Sequence, residues 1–170
     1  MKIWTLFIFA IFVLAGCTLV SVPVPTPKQN TLLVGKLLVS GNGFDTYGTT
    51  VYIKSHQTGN IFSVTTQKDG WLFTNKLDGG NYTILYIEKE PVGMKYKMFK
   101  MILNGPFYIT IEDDLVNNIG VIKIYIENVI GNVYFSPRLL GYDVVKLNFQ
   151  SEFPDSEWNS YEWKNKEIMK

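Results

Sequence analysis

From residue 31 onward, apolar and polar positions alternate in short runs. Val51 and Ile53 alternate with Tyr52 and Lys54, and Phe62 and Val64 with Ser63 and Thr65. Tyr82, Ile84 and Tyr86 share one face of a run. Phe107, Ile109 and Ile111 share another, Ile122, Ile124 and Ile126 a third, and Val145, Leu147 and Phe149 close the series. Residues 32–39 form a mostly apolar run instead. Glycine-rich turn signals separate the runs: Gly41-Asn42-Gly43, Thr58-Gly59-Asn60, Asp69-Gly70, Asp78-Gly79-Gly80 and Asn104-Gly105-Pro106. A period of two with β-branched and aromatic enrichment predicts strand after strand, hence an all-β antiparallel sandwich over residues 31–150. No helix of ordinary length is expected before Pro154. In residues 151–170, Asp155-Ser156 is suited to cap a short helix with Glu157 in its first turn. Trp158, Tyr161, Trp163 and Ile168 make no clean helical stripe, so a short helical or irregular segment is expected there.

The first thirty residues read differently. After Lys2, residues 3–16 are apolar apart from Thr5, the length of a secretory h-region and well short of the roughly 20 residues a membrane span needs. The run ends in Leu14-Ala15-Gly16-Cys17. Small side chains before a cleavage point let the extended backbone enter a narrow peptidase cleft, and a thiolate is the nucleophile that accepts diacylglycerol. These four residues resemble the bacterial lipobox. The resemblance implies a signal peptide over residues 1–16, cleavage between Gly16 and Cys17, and lipid on Cys17 as the new N-terminus. An uncleaved anchor is the competing reading, but a span alone gives no reason for the small-small-Cys ending. Residues 17–30 then read as the lipidated cysteine and a tether. Pro23, Pro25 and Pro27 alternate with Val24 and Thr26, which favours an extended polyproline-type spacer. No aspartate follows the cysteine, which implies outer-membrane placement where Gram-negative sorting applies.

Composition narrows the chemistry. Cys17 is the only cysteine, so its lipidation leaves no disulfide, no thiol nucleophile and no thiolate-ligated metal. Removing Lys2 with the leader brings the sixteen basic residues to fifteen, against fifteen acidic ones. A charge near zero argues against nucleic acid as a partner, because duplex binding needs several uncompensated cations.

One stretch goes beyond class. Residues 66–73 (TQKDGWLF) and 77–84 (LDGGNYTI) place Gly70, Leu77, Gly80 and Tyr82 at set distances after Thr66. Upstream stand Val34-Gly35-Lys36-Leu37, then Gly48-Thr49-Thr50-Val51, then Thr58-Gly59. Together they resemble the carboxypeptidase regulatory-like domain, a prealbumin-like β-sandwich close in architecture to carbohydrate-binding-like and collagen-binding B-type domains. The resemblance covers residues 32–88 and reaches residue 126 at most. It implies a prealbumin-like or Ig-like sandwich in which Asp69-Gly70 makes a hairpin turn, Leu77 plugs one end and Tyr82 starts a buried strand. Leu72 stands where the family has phenylalanine, with Phe73 beside it, so a bulge or one-residue shift is expected there. Tyr86 occupies the position of the B-type repeats' crosslinking glutamate, so no isopeptide bond is expected. A shared fold implies no chemistry by itself.

The residues that could carry chemistry are few. His56, the only histidine, sits in a hairpin signal, a poor place for a shielded base and alone insufficient for zinc. Glu112-Asp113-Asp114 is the only acidic cluster, and its spacing matches no calcium loop. No metal and no cofactor are expected. Residues 94–101 (MKYKMFKM) read as a charged edge strand that discourages aggregation, with contact to lipid headgroups or an acidic glycan as the second reading. Trp71, Trp158, Tyr161 and Trp163 are the rings that could form a ligand platform. Against that, they could pack back onto the sandwich as a lid. The expected protein is therefore a non-enzymatic envelope lipoprotein, held to the membrane through Cys17 and serving as a structural or protein-interaction module. Its partner is then an envelope protein, or a polysaccharide if the aromatics are exposed.

Overall fold

The computed structural model describes residues 20–40, 46–89, 99–126 and 133–169. The lipobox, including Gly16 and Cys17, lies outside them, as do Lys95 and Lys97 of the lysine-rich run. Among the described residues, nine strands form two sheets. The first contains β1 (Leu32–Ser40), β4 (Trp71–Thr74), β7 (Val116–Ile126) and β8 (Val133–Leu140) in the order β4-β1-β7-β8. The second contains β2 (Thr50–Ser55), β3 (Ile61–Thr65), β5 (Gly80–Lys89) and β6 (Phe99–Ile111) in the order β3-β2-β5-β6. A helix, α1 (Tyr142–Glu152), follows β8, and a short β9 (Trp163–Asn165) returns to β7.

The sandwich is mostly antiparallel, but the first sheet is mixed: β1 and β9 both run parallel to β7. One edge of β7 meets β1. Its other edge takes β9 along Val116–Asn118 and β8 from Val121 onward. Between these two partners the ladder of β1 and β7 is interrupted by a bulge. Gly120 there has φ +68°, and a Cβ on the facing Gly35 would lie 2.5 Å from Ile119 Cγ1 and 3.0 Å from the Gly120 carbonyl. The opening-strand glycine thus marks a close approach of two backbones.

The space between the sheets holds the larger core. Leu33, Leu37, Val39, Leu72, Ile119, Ile122 and Ile124 meet Val51, Ile53, Val64, Tyr82, Ile84, Ile87, Phe107, Ile109 and Ile111. Leu77 is buried among them, and Tyr82 donates its hydroxyl to the Asp78 carbonyl at 2.7 Å. Tyr86 departs from the expected face. A register shift against β6 between Ile84 and Tyr86 reverses the alternation, so Ile87 turns inward. Tyr86 instead stacks on Tyr52 across the outer side, with ring centroids 4.4 Å apart.

Two expectations for residues 69–73 are corrected. Asp69-Gly70 does not close a hairpin; it carries the chain from β3 in the second sheet to β4 in the first. Both residues have positive φ, +58° and +77°, and a Cβ on Gly70 would lie 2.3 Å from the Leu37 carbonyl oxygen. The expected slip at Leu72-Phe73 is absent, because β4 pairs with β1 in unbroken register. Leu72 faces the inner core and Phe73 the outer side, so both bulky residues are accommodated.

The larger correction concerns residues 142–165. Val145, Leu147 and Phe149 belong to α1 rather than to a closing strand. Val145 and Phe149, four residues apart, share the buried face of the helix, while Leu147 is 65 % exposed. The helix expected after Pro154 is only a 3₁₀ turn, Glu157–Ser160, whose Ser156 makes no side-chain cap. Helical placement makes Leu147→Lys change stability by no more than about 0.5 kcal/mol. Phe149→Ala is expected to cost about 3–5 kcal/mol. Denaturant unfolding of the two variants checks this; equal losses would restore the strand.

Candidate functional site

The outer face of the first sheet is also apolar, over β4 and the starts of β1 and β7. Leu32, Val34, Trp71, Phe73 and Val116 point away from the sandwich and form a second core with Val145, Phe149 and Trp158. Trp71 is fully buried, stacked on Phe73 with centroids 5.1 Å apart and met edge-on by Phe149 and Phe153. Its Nε1 donates to Glu152 Oε2 at 2.7 Å, and Lys36 Nζ lies 4.2 Å over the ring and 3.5 Å from Glu152 Oε1. One carboxylate at the end of α1 therefore accepts from both an indole and an ammonium, which fixes the helix end over β4 and β1.

The proline-rich segment closes this face. It was expected to be a free spacer, yet residues 20–30 lie on the domain. Val20 and Val22 pack against the second core. Ser21 N donates to Gln67 Oε1 at 2.6 Å while Gln67 Nε2 donates to the Ser21 carbonyl at 2.8 Å. Trp158 Nε1 donates to the Pro23 carbonyl at 2.5 Å, and Asn75 Nδ2 to the Val24 carbonyl at 3.3 Å. The strap thus follows β4 from its beginning to its end. Pro23 is held through its carbonyl, since proline has no N–H to give.

The strap is a ridge between two grooves. One, of about 320 Å³, lies between Val22-Pro23-Val24-Pro25 and the stretch from Glu152 to Glu157. The other, of about 300 Å³, separates Ser21 and Pro23 from Ser63-Val64-Thr65 and from the end of β4. Both are open and shallow.

Two buried asparagines that the strand pattern did not single out hold the β6–β7 turn and the C-terminal segment. Asn117 bonds the Glu112 backbone through both its amide atoms. Asn118 donates to the Tyr142 carbonyl at 2.9 Å and accepts from Gly120 N at 2.9 Å, joining the bulge to the start of α1. Two adjacent asparagines inside a hydrophobic strand pattern are the signal that could have found them, because buried amides need partners.

The acidic run sits at the opposite end from Gln67. Glu112 accepts from Lys164 Nζ at 2.5 Å and from Lys166. The Lys164 and Lys166 hydrogen bonds hold its carboxyl below the ordinary 4.5, and the same contact raises Lys164. Asp113 Oδ1 accepts from Gly79 N at 2.5 Å, and Asp114 from Asn30. These carboxylates tie the β6–β7 turn to neighbouring loops. His56 is exposed at the β2–β3 hairpin, with Nε2 2.5 Å from Thr83 Oγ1. Among the described residues, no three of His, Cys, Asp and Glu are grouped to hold a metal.

The ligand platform is corrected in part. Trp71 and Trp158 are both 0 % exposed and offer no face to a sugar. Tyr161 and Trp163 are half-buried against the same core, Trp163 with its ring 5.1 Å from Phe149. The structure brings all four together, but as filling under the helix and strap.

No protein-family model matches the chain, and no curated protein does. Among solved structures, 48 % of it is similar to the pilus adhesin of Streptococcus pneumoniae, at 20 % identity and a TM-score of 0.34. A leucine-rich repeat protein from Bacteroides thetaiotaomicron matches 56 % of the chain, at 13 % identity and 0.35. The group B streptococcus pilus 2b backbone protein also matches 56 %, at 17 % and 0.31. The matched regions make up 9 %, 14 % and 40 % of those proteins, so this chain spans less than half the length of each. The sandwich assignment rests on the two sheets themselves.

Trp158→Phe keeps the ring in the core but leaves the Pro23 carbonyl without its donor. It is expected to cost about 1 kcal/mol and to open residues 20–30 to proteases. Limited proteolysis beside denaturant unfolding reads both effects. Glu112 gives a separate test through pH. Its stabilisation is present above the unfolded value near 4.5 and is lost as pH falls through the lower folded value. The Lys164 contribution is lost at the other limit, as pH rises through its raised value. Glu112→Gln should therefore lower Tm at neutral pH and flatten its fall in acid, as seen in thermal melts across pH.

Proposed function

We propose that this chain is a lipid-anchored protein of the cell envelope whose β-sandwich works, without catalysis, as a structural or protein-interaction module. The observation that carries the anchor is Leu14-Ala15-Gly16-Cys17 at the end of a short apolar leader. Two or three acyl chains hold a protein stably at a bilayer where one does so marginally. In this reading Cys17 is the acylated N-terminus and everything after it lies outside the cytoplasm, on the outer membrane where the absence of a following aspartate directs sorting.

The module reading is supported by where the reactive side chains are spent. His56 is a solvated hairpin residue, and the three carboxylates of residues 112–114 accept from lysines, a backbone N–H and an asparagine. Of the carboxylates that line the groove beside α1, Glu152 is already taken by the Trp71 indole and the Lys36 ammonium. Kinship with the carboxypeptidase regulatory-like domain is favoured by the motif positions. Thr66 ties the turn by accepting from Thr49 N at 2.9 Å and donating to the Thr46 carbonyl at 2.6 Å. Leu77 and Tyr82 fill the inner core, and a Cβ would collide with the Ile119 side chain at Gly35 and with the Leu37 carbonyl at Gly70.

Mass spectrometry of the membrane fraction is expected to find a peptide that begins at Cys17 and carries acyl chains, and Cys17→Ala should lose both the lipid and the membrane association. An unmodified peptide running through residues 16 and 17 would refute the anchor.

A further inference from the structure

We infer that the strap seats the domain directly on the lipid headgroups, with the end formed by Tyr47, Gln67, Lys68 and Asp69 facing the bilayer. The inference rests on the reading of Cys17 as the lipidated residue. Only Thr18 and Leu19 separate Cys17 from Val20, the first described residue that packs on the domain, so the two Cα atoms are at most about 11 Å apart. A spacer of thirteen residues would let the domain turn freely; a strap docked from Val20 onward removes nearly all of that length. The point of departure is fixed by the paired Ser21–Gln67 hydrogen bonds. Gln67 belongs to the end where Thr66 binds Thr46 and where Gly48 N donates to the Thr66 carbonyl at 3.1 Å.

The surface at that end suits headgroups. Tyr47 is 55 % exposed, an amphipathic ring of the kind favoured at membrane interfaces. Lys68 and Asp69 are exposed at the same end and offer one charge of each sign to a zwitterionic headgroup. The other end carries the His56–Asn60 hairpin, Asp78 and the Glu112–Lys164 pair. It then points away from the membrane and is the end offered to partners.

The acylated full-length chain in phosphatidylcholine vesicles tests this. With Cys17 blocked by lipid, Lys68→Cys or Asn60→Cys supplies the single free thiol for a fluorophore. These exposed positions flank β3, whose five residues span roughly 17 Å. A nitroxide-headgroup lipid is expected to remove most of the fluorescence at residue 68 and none at residue 60. Inserting about 12 Gly and Ser residues between Thr18 and Leu19, a coil of roughly 20 Å, should abolish the difference. Equal quenching at both positions on acylated protein, or quenching at 68 that survives the insertion, would overturn the seating alone. Absence of acyl mass on Cys17 would overturn the anchor and the seating together.

Discussion

A sheet that is apolar on both faces has to be covered twice, and most of this architecture follows from that requirement. Leu33, Leu37 and Leu72 point into the sandwich while Leu32, Val34, Trp71 and Phe73 point out of it. The second sheet satisfies the first set. The second set would be a large exposed patch on a chain without disulfides, and such patches drive association. The helix, the C-terminal turn and the strap each bury part of it. The helix is therefore a consequence of the outer face, and its orientation is set by Glu152 reaching Trp71 and Lys36.

The double burial explains what could be read from the sequence. Strands with one wet face, such as β2 and β3, alternate cleanly and were placed by that alternation. The mostly apolar run of β1 is what a strand covered on both sides looks like, but the run alone does not name its second cover. Val145, Leu147 and Phe149 satisfy a period of two and, through 145 and 149, a helical spacing of four; a segment this short cannot decide between them. Only the neighbouring apolar face makes the helix the better answer. Tyr86 was misplaced for a different reason, since one inserted residue in a ladder reverses everything after it and leaves no composition signal.

The candidate site was legible only in pieces. The aromatic richness of residues 158–163 was plain, whereas its burial depended on partners as distant as Val20 and Trp71. Proline alternation suggested an extended chain, which is what residues 20–30 are, but extension does not tell a spacer from a docked segment. The difference lies in Gln67, Asn75 and Trp158, three donors placed to meet the carbonyls of Ser21, Val24 and Pro23.

The bond from Trp158 to the Pro23 carbonyl joins residues 135 positions apart. Contacts this distant in sequence form slowly, because most of the chain must be ordered before they close. During synthesis Val20 and Val22 emerge long before the tryptophan that holds them exists. The outer face of the first sheet must therefore wait, uncovered, until residues 142–158 have been made, and a chain stopped before Trp158 would leave its beginning unheld as well.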